Sequence, residues 1–450
     1  MTSSQQRRSI FSGLLLIVLG VVFLLYRFEP QLQIGFFIRR FWPLIIILWG
    51  VAKLIDHLAA RQSGERTPLF SGGEIALLIV AFLALAGLGL ADYVRKRHPD
   101  IDLHLDPFAH KYTQADALPA KRIPADSHIT IQTTHGDISV HTAAGDELHV
   151  TANKSASDSS ESAADEHMSG VKAVIEQTSD GYRIRPSDTG NSDEDVNVDL
   201  DVEVPKSASV NVTSSHGDIS VAGIAGAIDA STREGDVDIH DSGSDVTVAL
   251  EKGNLRLGNI GGNVRVTGRG NEIDVSDVKG DATLQGEFFG PIRVRNVAKT
   301  THYVSQRSDL TLMHMTGRME LDSEDLQVSD VAGSAKLVTH NKDIDVENVT
   351  GELDIANSHG DMKIHCSQPP SNEISVADDS GEIALTLPDK SSFEISAVSR
   401  GGDVSSDFEG PSLQQTNDNN VGKLAGKVGS GTPRIQIATS YGTISIRKGT

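Results

Sequence analysis

Residues 216–275 read HGDISVAGIAGAIDASTREGDVDIHDSGSDVTVALEKGNLRLGNIGGNVRVTGRGNEIDV. One degenerate phrase recurs in this stretch: a turn residue, then Asp or Asn, an apolar residue, any residue, and a second apolar residue. It places Ile219 with Val221, Val237 with Ile239, Leu255 with Leu257 and Ile273 with Val275. Alternation with period two means a strand with one buried face. Working outward, the first apolar position continues through Ile292, Leu310, Leu326, Ile344, Met362, Ile383 and Val404, at spacings of 18, 18, 18, 19, 18, 16, 18, 18, 21 and 21. Aliphatic residues recurring about every 18 positions place each strand over the last.

Most copies carry a second pair, such as Val264 with Val266, Ala335 with Leu337 and Leu353 with Ile355. Each turn then offers two strands, and the expected fold is a parallel β-solenoid, a β-helix or β-roll with turns of about 18 residues. The outward residue between the two core positions tests this register. It reads Ser220, Asp238, Arg256, Asp274, Arg293, Thr311, Gln327, Asp345, Lys363 and Ala384. Stacked about 4.8 Å apart, like charges would repel, and the alternation of sign fits parallel stacking.

The repeats occupy residues 206–408. Ahead of them, 121–205 is expected to be a β-rich N-terminal subdomain with strands near 129–134, 137–142, 147–151, 171–175, 182–186 and 196–204. The Ser-, Ala-, Asp- and Glu-rich stretch 155–166 reads as a flexible loop. Residues 101–120 read as a linker, and 409–450 as a linker followed by capping strands over 434–447, which would cover the open end of the coil.

Residues 1–100 are different in kind. They hold 11 Lys/Arg and 6 Asp/Glu, net +5, both Trp residues and 8 of the 13 Phe. Charge-free or nearly charge-free apolar runs predict membrane helices at about 10–26, 34–55 and 75–94. Arg39, Arg40, Pro43 and Lys53 make the middle one either a span or a re-entrant segment. Three spans put residues 101–450 on the side opposite the N-terminus, so the reading is a multi-pass protein of the cytoplasmic membrane, in contact with the lipid bilayer, with an extracytoplasmic β domain. The 350 residues beyond carry the remaining 29 Lys/Arg and 55 Asp/Glu, net −26, a field that repels phosphate backbones and argues against nucleic-acid binding.

The residue before each first core position is a carboxylate in nine of eleven copies. Asp218, Asp236, Asp309, Asp325, Asp343, Asp361 and Asp403 therefore form a candidate acidic stripe for a hard cation or a basic ligand. Turn chemistry explains the same pattern, because Gly precedes seven of the eleven positions and Asp accepts nearby backbone N–H groups. That reading is favoured, and no metal or cofactor is expected. The His-Gly-Asp triplets at His135, His216 and His359 are tied to turns, which favours solvated turn histidines over catalysis. Cys366 is the only cysteine, so no internal disulfide exists. On a strand, Cys366 and His365 face opposite ways and form no dyad. No nucleophile elbow, phosphate loop or zinc-ligand spacing is present.

The stretches GLLLIVLGVVFLLYRF (13–28) and FWPLIIILWGVAKLI (41–55) resemble the LiaI/LiaF-like transmembrane region of bacterial envelope-stress proteins. The repeats, with the Val204-Pro205 junction and the recurring Gly-Asp turns, are similar to the bacterial β-strand-repeat family named for adhesins, a domain of unknown function. The first resemblance implies a role in sensing envelope damage, and the second implies surface interaction without enzymatic activity. The favoured reading is a non-enzymatic, membrane-anchored β-solenoid that binds another envelope protein or a polysaccharide as an adhesin or scaffold. An envelope-stress regulator acting on a membrane kinase is the alternative. A carbohydrate-active β-helix enzyme ranks last, since residues 101–450 hold no Trp and only four Tyr to form sugar platforms.

Overall fold

The computed structural model of the chain describes residues 110–158, 160–188 and 196–449. The three expected membrane helices lie outside them. No helix among the described residues is long and apolar enough to cross a membrane.

Period-two alternation becomes strands that pair in parallel at the spacing of the repeat. Val237 pairs with Leu255 and Leu255 with Ile273 in one ladder; Val246 pairs with Val264 and Val264 with Ala282 in a second. The buried face is aliphatic, with Ile239, Leu257, Val275, Val248, Val266 and Leu284 all at 0 % exposure. Each such side chain contributes about 1.5–3 kcal/mol when taken out of water. The domain is thus all-β and solenoid-like, wound from two-strand turns that bury their apolar residues against the turns above and below.

Corners are built from residues that accept unusual backbone. Gly136, Gly217, Gly235 and Gly253 stack with φ between +124 and +151°, and a Cβ on Gly235 would lie 2.2 Å from the Gly217 carbonyl oxygen. The opposite corner uses left-handed Asp241, Asn259, Asp277 and Asn296, with φ of 53–58°. Asn and Asp tolerate that region better than other residues with a Cβ.

The winding is interrupted once. Ile292–Val304 spans both ladders, a hairpin follows, and Ser308–Leu321 returns antiparallel to it, with Ile292 opposite Leu321 and Tyr303 opposite Leu310. A second hairpin leads into Asp325–Val331, and parallel winding resumes with Leu326 beside Ile344. This corrects the sequence reading at one copy. Leu310 belongs to the second ladder, opposite Leu337, and Leu321 fills the place expected for Leu310. The spacing of 16 was the trace of the reversal.

Both ends are interleaved. The first turn, His128–His135 with Ile138–Thr142, lies between the turn made by Gly181–Asp188 and Val196–Val204 and the turn beginning at Ser209. Ile138 thus pairs with Leu200 on one side and Ile219 on the other. The last turn, Arg434–Tyr441 with Ile444–Gly449, likewise enters between two earlier ones: Ile444 pairs with both Ile383 and Val404. Expected to cover the open end, the C-terminal strands are instead hydrogen-bonded on both edges. Antiparallel strands take the covering role, Val171–Gln177 on Gly181–Asp188 at one end and Val421–Val428 on Phe393–Ser399 at the other. An antiparallel partner terminates a parallel stack without offering the next turn a matching edge.

Two further expectations change. The supposed linker contains the strand His110–Ala117. The supposed flexible stretch 155–166 is the end of strand Glu147–Asp158 and most of helix Glu161–Gly170. Ser160 caps that helix by accepting the Ala163 N–H at 3.4 Å, Glu161 lies in the first turn and His167 in the last. A capping hydroxyl and an acidic first turn favour a helix that composition alone does not reveal.

Candidate functional site

The Gly-Asp turns bring part of the acidic stripe into line. Asp218 Oδ1 accepts the Asp236 N–H at 2.7 Å, Asp236 Oδ1 the Asn254 N–H at 2.8 Å, and Asn254 Oδ1 the Glu272 N–H at 3.2 Å. The line extends upstream through residues that repeat spacing did not reveal: Asp199 accepts from Asp137, and Asp137 from Asp218, both at 2.9 Å. Those partners are 62 and 81 residues apart in sequence, the consequence of the interleaved first turn. Beyond the reversal, Asp325 stacks beside Asp343, and the ladder resumes as Asp343 accepts from Asp361 and Asp361 from Glu382, each at 2.8 Å. Asp309 is elsewhere, opposite Val304 and 3.2 Å from His302. Asp403 is separated from Glu382 by the inserted Thr443, whose carbonyl accepts the Ile383 N–H. The ladder carboxylates bond the next turn's backbone. Among the described residues no group of three or more His, Cys, Asp or Glu side chains is placed to hold a metal ion.

The outward column keeps its alternation with Glu320 in place of Thr311. Its ion pairs run partly diagonally. Arg256 reaches Asp238 at 3.9 Å, Arg295 reaches Asp274 at 2.8 Å, and Arg293 bonds both Glu272 and Glu320, the latter at 3.0 Å.

His135 and His216 pair in register and their rings stack at 4.9 Å, tilted by 6°. His359 sits at the corresponding corner opposite Ser380. Cys366 is buried, which pushes its thiol up to about 11, and His365 is exposed on the other face. A thiol held protonated is a poor nucleophile at neutral pH.

Two polar features inside the fold were not legible in the sequence. Lys154, 2 % exposed, donates to the Met168 and Val171 carbonyls at 2.9 and 3.1 Å and pairs with Asp116 at 2.6 Å. Asp378, 5 % exposed, lies in an inward polar column between Asn357 and Thr439. Burial pushes its carboxyl above the ordinary value, while the Ser380 and Asp379 N–H groups pull the other way.

Among the described residues, two open grooves stand out on the surface. One, of about 520 Å³, runs over Thr247, Arg265, Thr283 and His302 on the second ladder. The other, of about 410 Å³, lies along the glycine corner beside Gly235, Gly253 and Asn271, with Phe289 as its wall. Phe289 is 70 % exposed.

Against known families, residues 262–447 match the model described as Toastrack DUF4097. This part of the chain is similar to the Toastrack family. Residues 10–54 match the LiaI-LiaF-like transmembrane region, so the chain joins a membrane region to an all-β domain, as the sequence resemblances implied. The Toastrack match takes in the antiparallel rung and the interleaved last turn; the coil from Ile129 to Ile260 precedes it. No curated protein matches the chain.

Three solved structures resemble the chain at low similarity. A "putative cell adhesion protein" from Clostridium sporogenes is 8 % identical, covering 76 % of this chain and 100 % of its own, with a TM-score of 0.17. A "putative adhesin" from Bacteroides fragilis is 9 % identical over 76 % and 97 %, TM-score 0.23. Another from Parabacteroides distasonis is 9 % identical over 75 % and 97 %, TM-score 0.20. At these scores the likeness carries no argument about function.

Proposed function

We propose that the chain is a non-enzymatic, membrane-anchored interaction protein of the bacterial envelope, holding its Toastrack-containing β domain outside the cytoplasmic membrane as an adhesin or scaffold. The observation that carries the reading is the joining of a LiaI-LiaF-like transmembrane region at 10–54 to a stacked domain whose ladder carboxylates serve its own backbone. A domain wound this way presents long outward columns fixed in register, which suits repeated contacts with an extended partner. The LiaI-LiaF-like match also favours a second reading, in which the membrane region engages a kinase and the β domain reports envelope damage.

The test reconstitutes the full chain in nanodiscs and mixes it with isolated cell-wall sacculi and envelope vesicles. Saturable retention with no release of reducing ends is expected. Absence of retention on either material, or steady release of reducing ends, contradicts the proposal.

A further inference from the structure

The groove at the glycine corner has a composition unlike the rest of the acidic domain. Its floor is bare backbone: a Cβ on Gly253 would meet the Gly235 carbonyl oxygen at 2.0 Å, so no side chain can fill it. Glu234 and Lys252, 3.8 Å apart, line it together with Glu251, whose partner Arg233, at 3.6 Å, lies outside the lining. Asp236 is occupied by the Asn254 N–H and side-chain amide, at 2.8 and 3.1 Å. Lys252 in the lining, Arg233 beside Glu251 and Arg269 5.8 Å from the Phe289 ring centroid together offset the three lining carboxylates. The site is locally neutral on a domain of net −26, which disfavours both acidic and basic polymers.

Phe289 supplies the other half. Its turn is held over the preceding one, with the Phe289 N–H donating to Gly270 and the Gly290 N–H to Asn271, both at 3.0 Å. An aromatic ring so exposed yet fixed in place costs little ordering entropy when a ligand covers it. A ligand suited to an apolar ring beside planar carboxylates and an amide has one C–H face and neighbouring hydroxyls. Each planar group can bridge two hydroxyls at once.

We infer that this groove binds a neutral saccharide, with Phe289 stacked on the C–H face of a sugar ring and Glu234, Glu251 and Asn271 bonding its hydroxyls. The inference rests on the proposed interaction role and names the ligand class for one site.

Calorimetry on the full chain in nanodiscs, with cellohexaose and chitohexaose as probes and hexalysine and hexaglutamate as controls, tests it. Saturable binding of at least one oligosaccharide is expected. Phe289→Ala should weaken it about tenfold or more, and Phe289→Trp should keep it within about threefold. Melting temperature should not move in either variant, because the ring is exposed. The inference fails if neither oligosaccharide saturates, if Phe289→Ala binds as tightly as the parent, or if hexalysine binds in their place. Should Phe289→Ala also leave sacculus retention unchanged, the saccharide site falls while the interaction role stands; a parent chain that sacculi and vesicles both fail to retain removes the role itself.

Discussion

The parallel coil from Ser209 to Val278 and the antiparallel rung from Ile292 to Leu321 bury the same kind of residues in different ways. In the coil each turn repeats the last, so every corner can bond the corner above it with one short side chain, as Asp218, Asp236 and Asn254 do. In the rung the chain reverses, the corner is lost, and a long side chain takes over: Arg293 ties Glu272 to Glu320. Hydrophobic alternation is common to both regions. Direction is set by the corners, where Gly at positive φ followed by Asp permits parallel winding and the Asp322 turn, whose carboxylate accepts the Glu324 and Asp325 N–H groups at 2.8 Å, permits reversal.

That contrast can be broken at several points. The largest effect is expected from Gly235→Ala, which forces a Cβ against the Gly217 carbonyl oxygen and should cost about 2–4 kcal/mol in chemical denaturation. Asp236→Ala removes the acceptor of a backbone N–H and should cost about 1–2 kcal/mol, whereas Asp309→Ala, off the ladder, should stay within about 0.5 kcal/mol. Equal losses at Asp236 and Asp309 would remove the distinction between ladder and rung.

Arg293→Ala should cost up to about 1 kcal/mol, reduced in high salt. Arg256→Ala should cost less, since that side chain is 73 % exposed and 3.9 Å from its partner.

A pH series sharpens the comparison from inside. Because burial raises the Asp378 carboxyl in the folded state, its favourable contribution is complete below the unfolded value near 3.8 and fades as pH rises through the folded one. Asp378→Asn should therefore gain on the parent in melting temperature from pH 4 to pH 8; a gap that does not change with pH would contradict the buried placement.

Much of this was legible beforehand. The strands, the 18-residue register and the inward aliphatic columns follow from alternation alone, and Val237, Leu255 and Ile273 stack as their spacing requires. The turn-chemistry reading of the Asp positions rested on Gly-Asp pairs, and the ladder hydrogen bonds have that form. What escaped were events between distant parts of the chain. Strand direction leaves no mark in a period-two pattern, so Leu310 was assigned to the wrong ladder, and only the spacing of 16 hinted at it. Interleaving at the ends likewise depends on partners far apart in sequence, such as Ile383 and Ile444. The exposed Phe289 carried no periodic signal, and neither did the buried Lys154 and Asp378.

The interleaved order of turns at the C-terminal end is the central claim, and oxidative cross-linking of paired strand positions reads that order directly. Ala384 lies beside Ser445, and Ser445 beside Ser405. Parallel neighbours stand at a separation a disulfide can bridge, and strands two places apart do not. Ala384→Cys with Ser445→Cys and Ser405→Cys with Ser445→Cys should each cross-link, while Ala384→Cys with Ser405→Cys should not. Efficient cross-linking of that last pair, with none to position 445, would contradict the interleaved coil.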